Sequence, residues 1–221
     1  MFFAAALTIS LQLQRATFDI LDAVNIEVVA HNPGKLPVSA TFPSPAQYEL
    51  DLLNGSKVVW TSLRPTPPTA HFPSHSRSFM PGPNVLAVYI WNGLTSDGTA
   101  LAPGRYMFRA RMLTNGTQAE ATVPVQFINT VPVSVVGKLR AGEEMTISGM
   151  LDTGKTHLTD PTGTLTLMRK LSTAPQAAIA VRGYLTQAPD RTPAFFVERW
   201  APLPENTSAP VSIPSPSARR H

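Results

Sequence analysis

Residues 88–106 of this 221-residue chain read Val-Tyr-Ile-Trp-Asn-Gly-Leu-Thr-Ser-Asp-Gly-Thr-Ala-Leu-Ala-Pro-Gly-Arg-Tyr, and this stretch decides the fold class. It begins as an apolar strand that ends in Trp91, continues through a loop marked by Asn92-Gly93 and Asp97-Gly98, and resumes as a strand after Pro103-Gly104. Asn-Gly, Asp-Gly and Pro-Gly pairs supply the backbone angles that tight turns need. The stretch therefore predicts two strands that pair antiparallel.

The residues on either side of this stretch repeat the same texture of short strands and turns. Leu7 to Gln14 alternates apolar and polar side chains, and Asn54-Gly55 lies between two apolar segments as in a hairpin. The predicted strands of the first half are 7–14, 18–31, 38–42, 47–53, 57–60, 85–91, 105–113 and 119–127. Short strands at this spacing, without helical periodicity, predict an all-β sandwich of about seven or eight strands. Residues 61–83 break the pattern with six prolines and are predicted to be a loop.

The second half differs because glycines stand inside otherwise regular strands. Gly149 lies within 145–152 and Gly183 within 178–185, with further strands predicted at 164–168 and 194–200. Interior glycines let strands bend at barrel corners, which favours a small closed barrel. We predict a sandwich domain over residues 1–130, a barrel domain over 131–203 and a disordered tail over 204–221, which is rich in Pro and Ser.

Composition sets limits on chemistry and location. The chain has no cysteine, which excludes disulfides, cysteine-bound metal and thiol catalysis. Its formal charge of +4 is too small to indicate nucleic acid or membrane binding by itself. No apolar run is long enough to span a bilayer, so no membrane span is expected. We expect a cytoplasmic protein; the alternative is an exported or envelope protein whose apolar start, Met1 to Leu7, is the remnant of a signal peptide.

Motifs for catalysis and metal binding are absent from the sequence. There is no Gly-x-Ser-x-Gly elbow, phosphate-binding loop or His-Glu-x-x-His motif, so we expect a non-enzymatic protein without a cofactor. His71 and His75 have a spacing that could bind metal on a helix, but Pro73 lies between them, and no metal site is expected. Trp60 and Trp91 each end a strand, and we expect both rings in the core.

The first half resembles the intracellular proteinase inhibitor (BsuPI) domain family over about residues 7–127. The motifs that carry the resemblance are Asn32-Pro-Gly34, Phe42-Pro-Ser44, Gln47-Tyr48, Val58-Val-Trp60, Pro81-Gly82, Trp91, Asp97-Gly98 and Pro103-Gly-Arg-Tyr106. The resemblance implies an immunoglobulin-like sandwich that inhibits a serine protease of the subtilisin type through a loop. The second half resembles an OB-fold over about 133–203, with an Asp-x-Thr-Gly turn at Asp160 to Gly163.

Two loops qualify as the partner-binding segment, and the sequence does not choose between them. Proteases bind peptides in extended form, so a pre-ordered loop is required. The candidate residues in the two loops are Arg64, His71, Phe72, His75, Arg77 and Phe79 in the first, and Leu94, Ser96 and Asp97 in the second. One alternative is a protein-interaction module without inhibitory activity. The other is single-stranded nucleic acid binding through Arg169, Lys170 and Arg182, which we consider disfavoured because exposed aromatics are not interleaved with these basic residues.

Overall fold

The computed structural model describes residues 7–63, 72–115, 119–128, 131–136, 141–174 and 176–204. Within those residues the protein is all-β, with fifteen strands in several sheets and one four-residue helix, Val133–Val136. The tail that we predicted to be disordered lies almost wholly outside the described residues.

The first half contains ten strands in the described residues, more than the seven or eight expected. They are β1 Thr8–Leu13, β2 Thr17–Asp19, β3 Val24–Asn32, β4 Val38–Phe42, β5 Tyr48–Asn54, β6 Lys57–Thr61, β7 His75–Phe79, β8 Gly82–Trp91, β9 Gly104–Met112 and β10 Glu120–Ile128. They form a three-stranded sheet in the order β1-β3-β8, a five-stranded sheet β2-β10-β9-β5-β6 and a two-stranded sheet β4-β7.

One hydrophobic core joins the two larger sheets. Residues on one face of β3, including Val24, Ile26 and Val28, are fully buried, as period-two alternation requires. Trp91 bridges the sheets, because its ring packs edge-on against Phe108 of β9 at 5.7 Å and Phe127 of β10 at 5.4 Å between centroids. Trp60 is also part of this core. Both tryptophans therefore lie where the sequence placed them.

The prediction that residues 88–106 form a paired hairpin is wrong. Strand β8 belongs to the three-stranded sheet and β9 to the five-stranded sheet, so residues 92–103 cross between sheets. The turn signals are real, since Gly93 and Gly98 both have φ of 82°. A loop of this length does not determine which strand β8 or β9 pairs with. Because Trp91 is buried between the two sheets, the chain crosses from one sheet to the other instead of forming a hairpin.

Two further expectations need correction. Residues 61–83 are not a loop throughout, because His75–Phe79 forms β7 and pairs antiparallel with β4, with Phe42 opposite His75. The prolines around β7 obscured its alternation of exposed and buried residues in the sequence. The predicted strand 18–31 is broken after Asp19, where Leu21 adopts a φ of 68° and the chain turns before β3.

The second half contains five strands in the described residues. They are β11 Glu144–Leu151, β12 His157–Asp160, β13 Gly163–Thr166, β14 Ala178–Gln187 and β15 Pro193–Pro202. Their order is β13-β12-β11-β14-β15. Beyond these pairings, Leu167 forms a parallel bridge with Phe195 and the Met168 amide donates to the Phe195 carbonyl at 2.9 Å. The segment after β13 therefore contacts β15, at the opposite edge of the sheet.

The two halves of the chain contact each other through two hydrogen bonds, one ion pair and one apolar cluster. The Thr146 hydroxyl donates to the Ile20 carbonyl at 2.8 Å, and the Ala100 amide donates to the Pro202 carbonyl at 2.9 Å. Buried Asp22 lies with Oδ1 2.6 Å from Nη1 of Arg182. A small apolar cluster surrounds these bonds and consists of Ile20, Leu21, Ala100, Ala180 and Ala201.

Candidate protein-binding edge

Strand β8 has one paired edge and one open edge. It pairs with β3 along its length, and among the described residues it pairs with no strand on its other side. Three of its apolar side chains are exposed, with Val85 at 49%, Val88 at 68% and Ile90 at 67%. A long edge strand that combines free backbone groups with exposed apolar side chains is a template for pairing with another chain.

A bulge explains how these three side chains share one face. The register of β3 and β8 shifts where Val28 pairs with Ala87 and Val29 pairs with Val85, so Leu86 is the extra residue. Without the extra residue, Val85 and Val88 would point to opposite faces of the sheet. The bulge thus adds Val85 to the exposed apolar row.

A pocket of about 420 Å³ opens beside β8, and we call it the edge pocket. Its walls come from β5, β7, β8 and the segments before β5 and after β6, and consist of Pro45, Ala46, Gln47, Tyr48, Ser62, Leu63, Arg77, Leu86 and Tyr89. Leu86 and Tyr89 belong to β8 itself. Both residues face the core side of the sheet, so the edge pocket and the exposed apolar row lie on opposite faces of this edge strand.

Gln47 organises the polar side of the edge pocket. Its Oε1 accepts a hydrogen bond from Arg77 Nη1 at 2.5 Å, and its Nε2 lies 3.3 Å from His75 Nε2. Arg77 Nη2 also donates to the Val85 carbonyl at 3.1 Å. Because Arg77 joins β7 to both Gln47 and β8, the guanidinium is held in one orientation at the pocket wall.

The other side of the edge pocket is aromatic. The Tyr89 ring lies 5.4 Å from the Trp60 ring, which belongs to the core. Burial raises the pKa of the Tyr48 hydroxyl, and the neighbouring Tyr89 raises it further. Tyr48 therefore stays a neutral hydrogen-bond donor at physiological pH. The pocket can hold an apolar or aromatic side chain and offer hydrogen bonds, and the described residues that line it include no carboxylate.

The structure separates the residues predicted for the first loop. Arg64 and His71 lie outside the described residues. His75 and Arg77 meet through Gln47 at the edge pocket, and Phe72 is exposed. Phe79, by contrast, is fully buried in the core, so the prediction that it contacts a partner is wrong.

The second predicted loop is closed on itself. Asp97 Oδ1 accepts hydrogen bonds from the Thr95 and Thr99 hydroxyls, and these bonds, the one from Thr95 foremost, lower the pKa of Asp97. The Ser96 amide donates to the Val59 carbonyl at 3.0 Å, and the Leu94 carbonyl accepts from the Trp91 indole at 2.9 Å. Ser96 and Asp97 are exposed at a tight turn, which differs from the extended segment that a protease groove accepts.

The three basic residues predicted for nucleic acid do not form one free patch. Arg169 and Lys170 are exposed in the segment after β13. The Arg182 side chain is only 13% exposed and forms ion pairs with Asp22 and Glu144. Its charge is therefore neutralised where the two halves meet.

The described part of the chain lacks two kinds of feature. No group of three or more histidine, cysteine or acidic side chains in that part of the chain is placed to hold a metal ion. None of its helices is long and apolar enough to cross a membrane.

Sequence reasoning missed the exposed row on β8 and the role of Tyr89. The sequence signal for the exposed row was the run Val85-Leu-Ala-Val-Tyr-Ile90, in which the residues of both strand faces are apolar or aromatic. Such a run is typical either of a strand buried on both faces or of a strand that docks a partner. The structure places β8 at an edge of its sheet, with one face of this run exposed.

Comparison with known proteins gives little guidance. No family model and no curated protein matches the chain. Among solved structures, a β-glucosidase, EmGH1, from Erythrobacter marinus is 15% identical with a TM-score of 0.31, and the match covers 54% of this chain and 15% of that one. Spo0M, a sporulation control protein from Bacillus subtilis, is 11% identical with a TM-score of 0.36 over 83% of this chain and 76% of that one. Similarities this weak carry no argument about fold or function.

Proposed function

We propose that this chain is a non-enzymatic protein that binds an extended segment of another protein along the open edge of its first half. The observation that carries the proposal is the row Val85, Val88 and Ile90 on an edge strand without a strand partner in the described residues. An added strand would pair with the open edge of β8, while the side chains on one of its faces would lie beside the apolar row.

The edge pocket would give this binding its specificity. In strand addition, main-chain hydrogen bonds supply affinity and pockets select individual side chains. The pocket combines the Tyr48 and Tyr89 rings with the Gln47 amide and the Arg77 guanidinium. We expect it to receive a large side chain that carries a hydrogen-bonding group.

We further propose a serine protease of the subtilisin type as the partner, as the resemblance to the proteinase inhibitor family implies. Leu63 lines the edge pocket, and Phe72 stands exposed ahead of β7. Leu63 and Phe72 are the described residues on either side of the segment that contains Arg64 and His71. By contrast, the closed turn around Asp97 lacks the shape of a substrate.

The finer architecture is part of the proposal. For an immunoglobulin-like sandwich over residues 1–130, the support is the Tyr106 hydroxyl, which donates to the Ala102 carbonyl at 2.8 Å as in a tyrosine corner. For an OB-type barrel over residues 131–203, the support is the strand order together with the parallel bridge between Leu167 and Phe195, which links the two outer strands.

Titration of the purified protein into subtilisin and trypsin, with residual activity and complex formation both measured, tests the proposal. We expect micromolar or tighter binding to subtilisin. Replacement of Val88 and Ile90 by Lys should weaken it at least tenfold, because two charges would be placed where a strand must dock. Leu36→Lys is the matched control, since Leu36 is an exposed apolar residue, at 76%, outside the edge.

The possible failures of this experiment are distinguishable. If neither protease forms a complex or loses activity, the protease partner is wrong. If subtilisin binds and the double lysine variant binds equally well, the partner stands but the open edge is not the contact surface.

A further inference from the structure

A second concave site lies between the two halves of the chain, and we call it the interdomain cleft. It has a volume of about 270 Å³. Its walls are Leu21, Asn92 and Leu94 from the first half and Arg169, Glu198, Arg199 and Trp200 from the second. Leu94 was predicted for the second partner-binding loop and Arg169 for nucleic acid binding. Both residues line this cleft, which neither prediction named.

A bulge in β15 builds the wall of the cleft that belongs to the second half. Arg182 pairs with Arg199 and Gly183 pairs with Val197, so Glu198 is the extra residue. The bulge depends on Gly183, because a Cβ there would lie 1.8 Å from the Phe196 carbonyl oxygen. Bulges re-aim side chains and are frequent beside binding sites. Here the bulge brings three consecutive residues, Glu198 to Trp200, to the same cleft.

Another glycine builds the opposite wall. Gly93 has a φ of 82°, and a Cβ on it would lie 2.8 Å from Cα of Leu21 and 2.9 Å from the Asp22 carbonyl oxygen. This close approach presses Asn92 and Leu94 against the Leu21 turn. Both walls are therefore fixed by backbone packing before any ligand arrives.

The charges in the cleft are unevenly satisfied. Neither Arg169 nor Arg199 makes an ion pair or a side-chain hydrogen bond with any described residue. Arg182, opposite Arg199 in the strand register, has two carboxylate partners. Two guanidinium groups that share a concave site without a structural partner are suited to bind an anion.

The remaining walls suggest the shape of that anion. Trp200 is half-buried, packs against the core of the second half and also lines the cleft, and Leu21 and Leu94 add apolar surface. An indole beside guanidinium groups stacks well on flat rings. Glu198 adds an acceptor for a donor group on the ligand. The volume lies near the lower end of the range for small-molecule sites.

We propose that the interdomain cleft binds a small anion that carries a flat ring, with a phosphate or carboxylate held by Arg169 and Arg199 and the ring against Trp200. The proposal does not depend on the protein-binding edge, because the two surfaces share no lining residue.

Trp200 provides the readout. The chain has three tryptophans, and Trp60 and Trp91 are buried in the core, so a ligand in the cleft should change chiefly the fluorescence of Trp200. The full chain is titrated with adenosine 5′-monophosphate, benzoate and inorganic phosphate. The first two carry a ring with a phosphate or a carboxylate, and the third has no ring.

Saturable quenching by at least one of the two ringed probes, with inorganic phosphate weaker, is expected. Arg169→Gln and Arg199→Gln should each weaken that binding about tenfold or more, because each removes charge-assisted hydrogen bonds. Arg105→Gln, at an exposed arginine that does not line the cleft, should bind as the wild type does.

The proposal is overturned if folded wild-type protein shows no saturable change with either ringed probe up to about 10 mM. It is also overturned if both cleft variants, verified as folded by thermal melting, bind with wild-type affinity. Equal affinity for inorganic phosphate and the ringed probes would remove the role assigned to Trp200.

Discussion

Replacement of Arg182 by Met should destabilise the protein strongly, because it leaves Asp22 buried without its main partner. Asp22 Oδ2 also accepts from Arg15 at 2.5 Å and from the Asp19 amide at 2.9 Å. The Arg15 side chain, however, is 57% exposed and is screened by water, whereas that of Arg182 is 13% exposed. In the variant, Asp22 would therefore have only a weak counterion.

Breaking a buried ion pair from one side costs about 3–5 kcal/mol. Since two hydrogen bonds to Asp22 remain, we expect about 3 kcal/mol, which corresponds to roughly a hundredfold change in the unfolding equilibrium constant. The loss should appear as a lower midpoint in urea denaturation followed by fluorescence. The double variant Asp22→Asn with Arg182→Met should recover part of the loss, because no buried charge remains.

Arg105→Met is the control, since Arg105 is exposed and has no ion pair among the described residues. Exposed substitutions of this kind usually stay within about 0.5 kcal/mol. If Arg182→Met costs no more than Arg105→Met, the Asp22–Arg182 contact does not hold the two halves together, and the reasoning from burial is wrong.

Three other changes test separate parts of the structure. Gly183→Ala should cost about 3 kcal/mol or more in thermal unfolding, because its Cβ would overlap the Phe196 carbonyl oxygen; wild-type stability would mean that the bulge is not formed. Tyr106→Phe should cost about 1 kcal/mol in urea denaturation through loss of the hydrogen bond to Ala102, and no loss would remove the tyrosine corner. Backbone hydrogen bonds, that from His157 foremost, lower the pKa of Asp152 from 3.8 to about 2, so its contribution to stability is complete above pH 3.8 and is lost as the pH falls toward 2. Asp152→Asn should therefore show a shallower fall of unfolding free energy over that range, and an unchanged slope would contradict the hydrogen bonding.

Local signals were read from the sequence more successfully than long-range pairing. The β5–β6 hairpin was predicted because Asn54-Gly55 joins strands that are neighbours in the chain, and the pair forms with Asn54 opposite Lys57. The same kind of signal failed around Asn92-Gly93, since turn residues do not say which sheet the next strand joins. Partner choice there is decided by the burial of Trp91, which depends on residues far away in sequence.

The candidate site was only partly predictable for a similar reason. His75 and Arg77 were named from a proline-rich segment, but Gln47 and Tyr89, which complete the edge pocket, lie on other strands. Exposure of Val88 and Ile90 could not be predicted either, because an apolar run reads alike in a central strand and at an edge.

The loop between β8 and β9 has a consequence for engineering the chain. Its Ser96 amide is bonded to Val59 in the first half, and its Ala100 amide is bonded to Pro202 in the second. Surface loops ordinarily accept extra residues at small entropic cost. This loop is hydrogen-bonded to both halves of the chain at positions four residues apart. A tag or linker inserted at Asp97 would separate these two bonds and weaken the contact between the halves. Insertions meant to leave the protein intact belong elsewhere, for instance at the exposed turn after Asn54, which joins only β5 and β6.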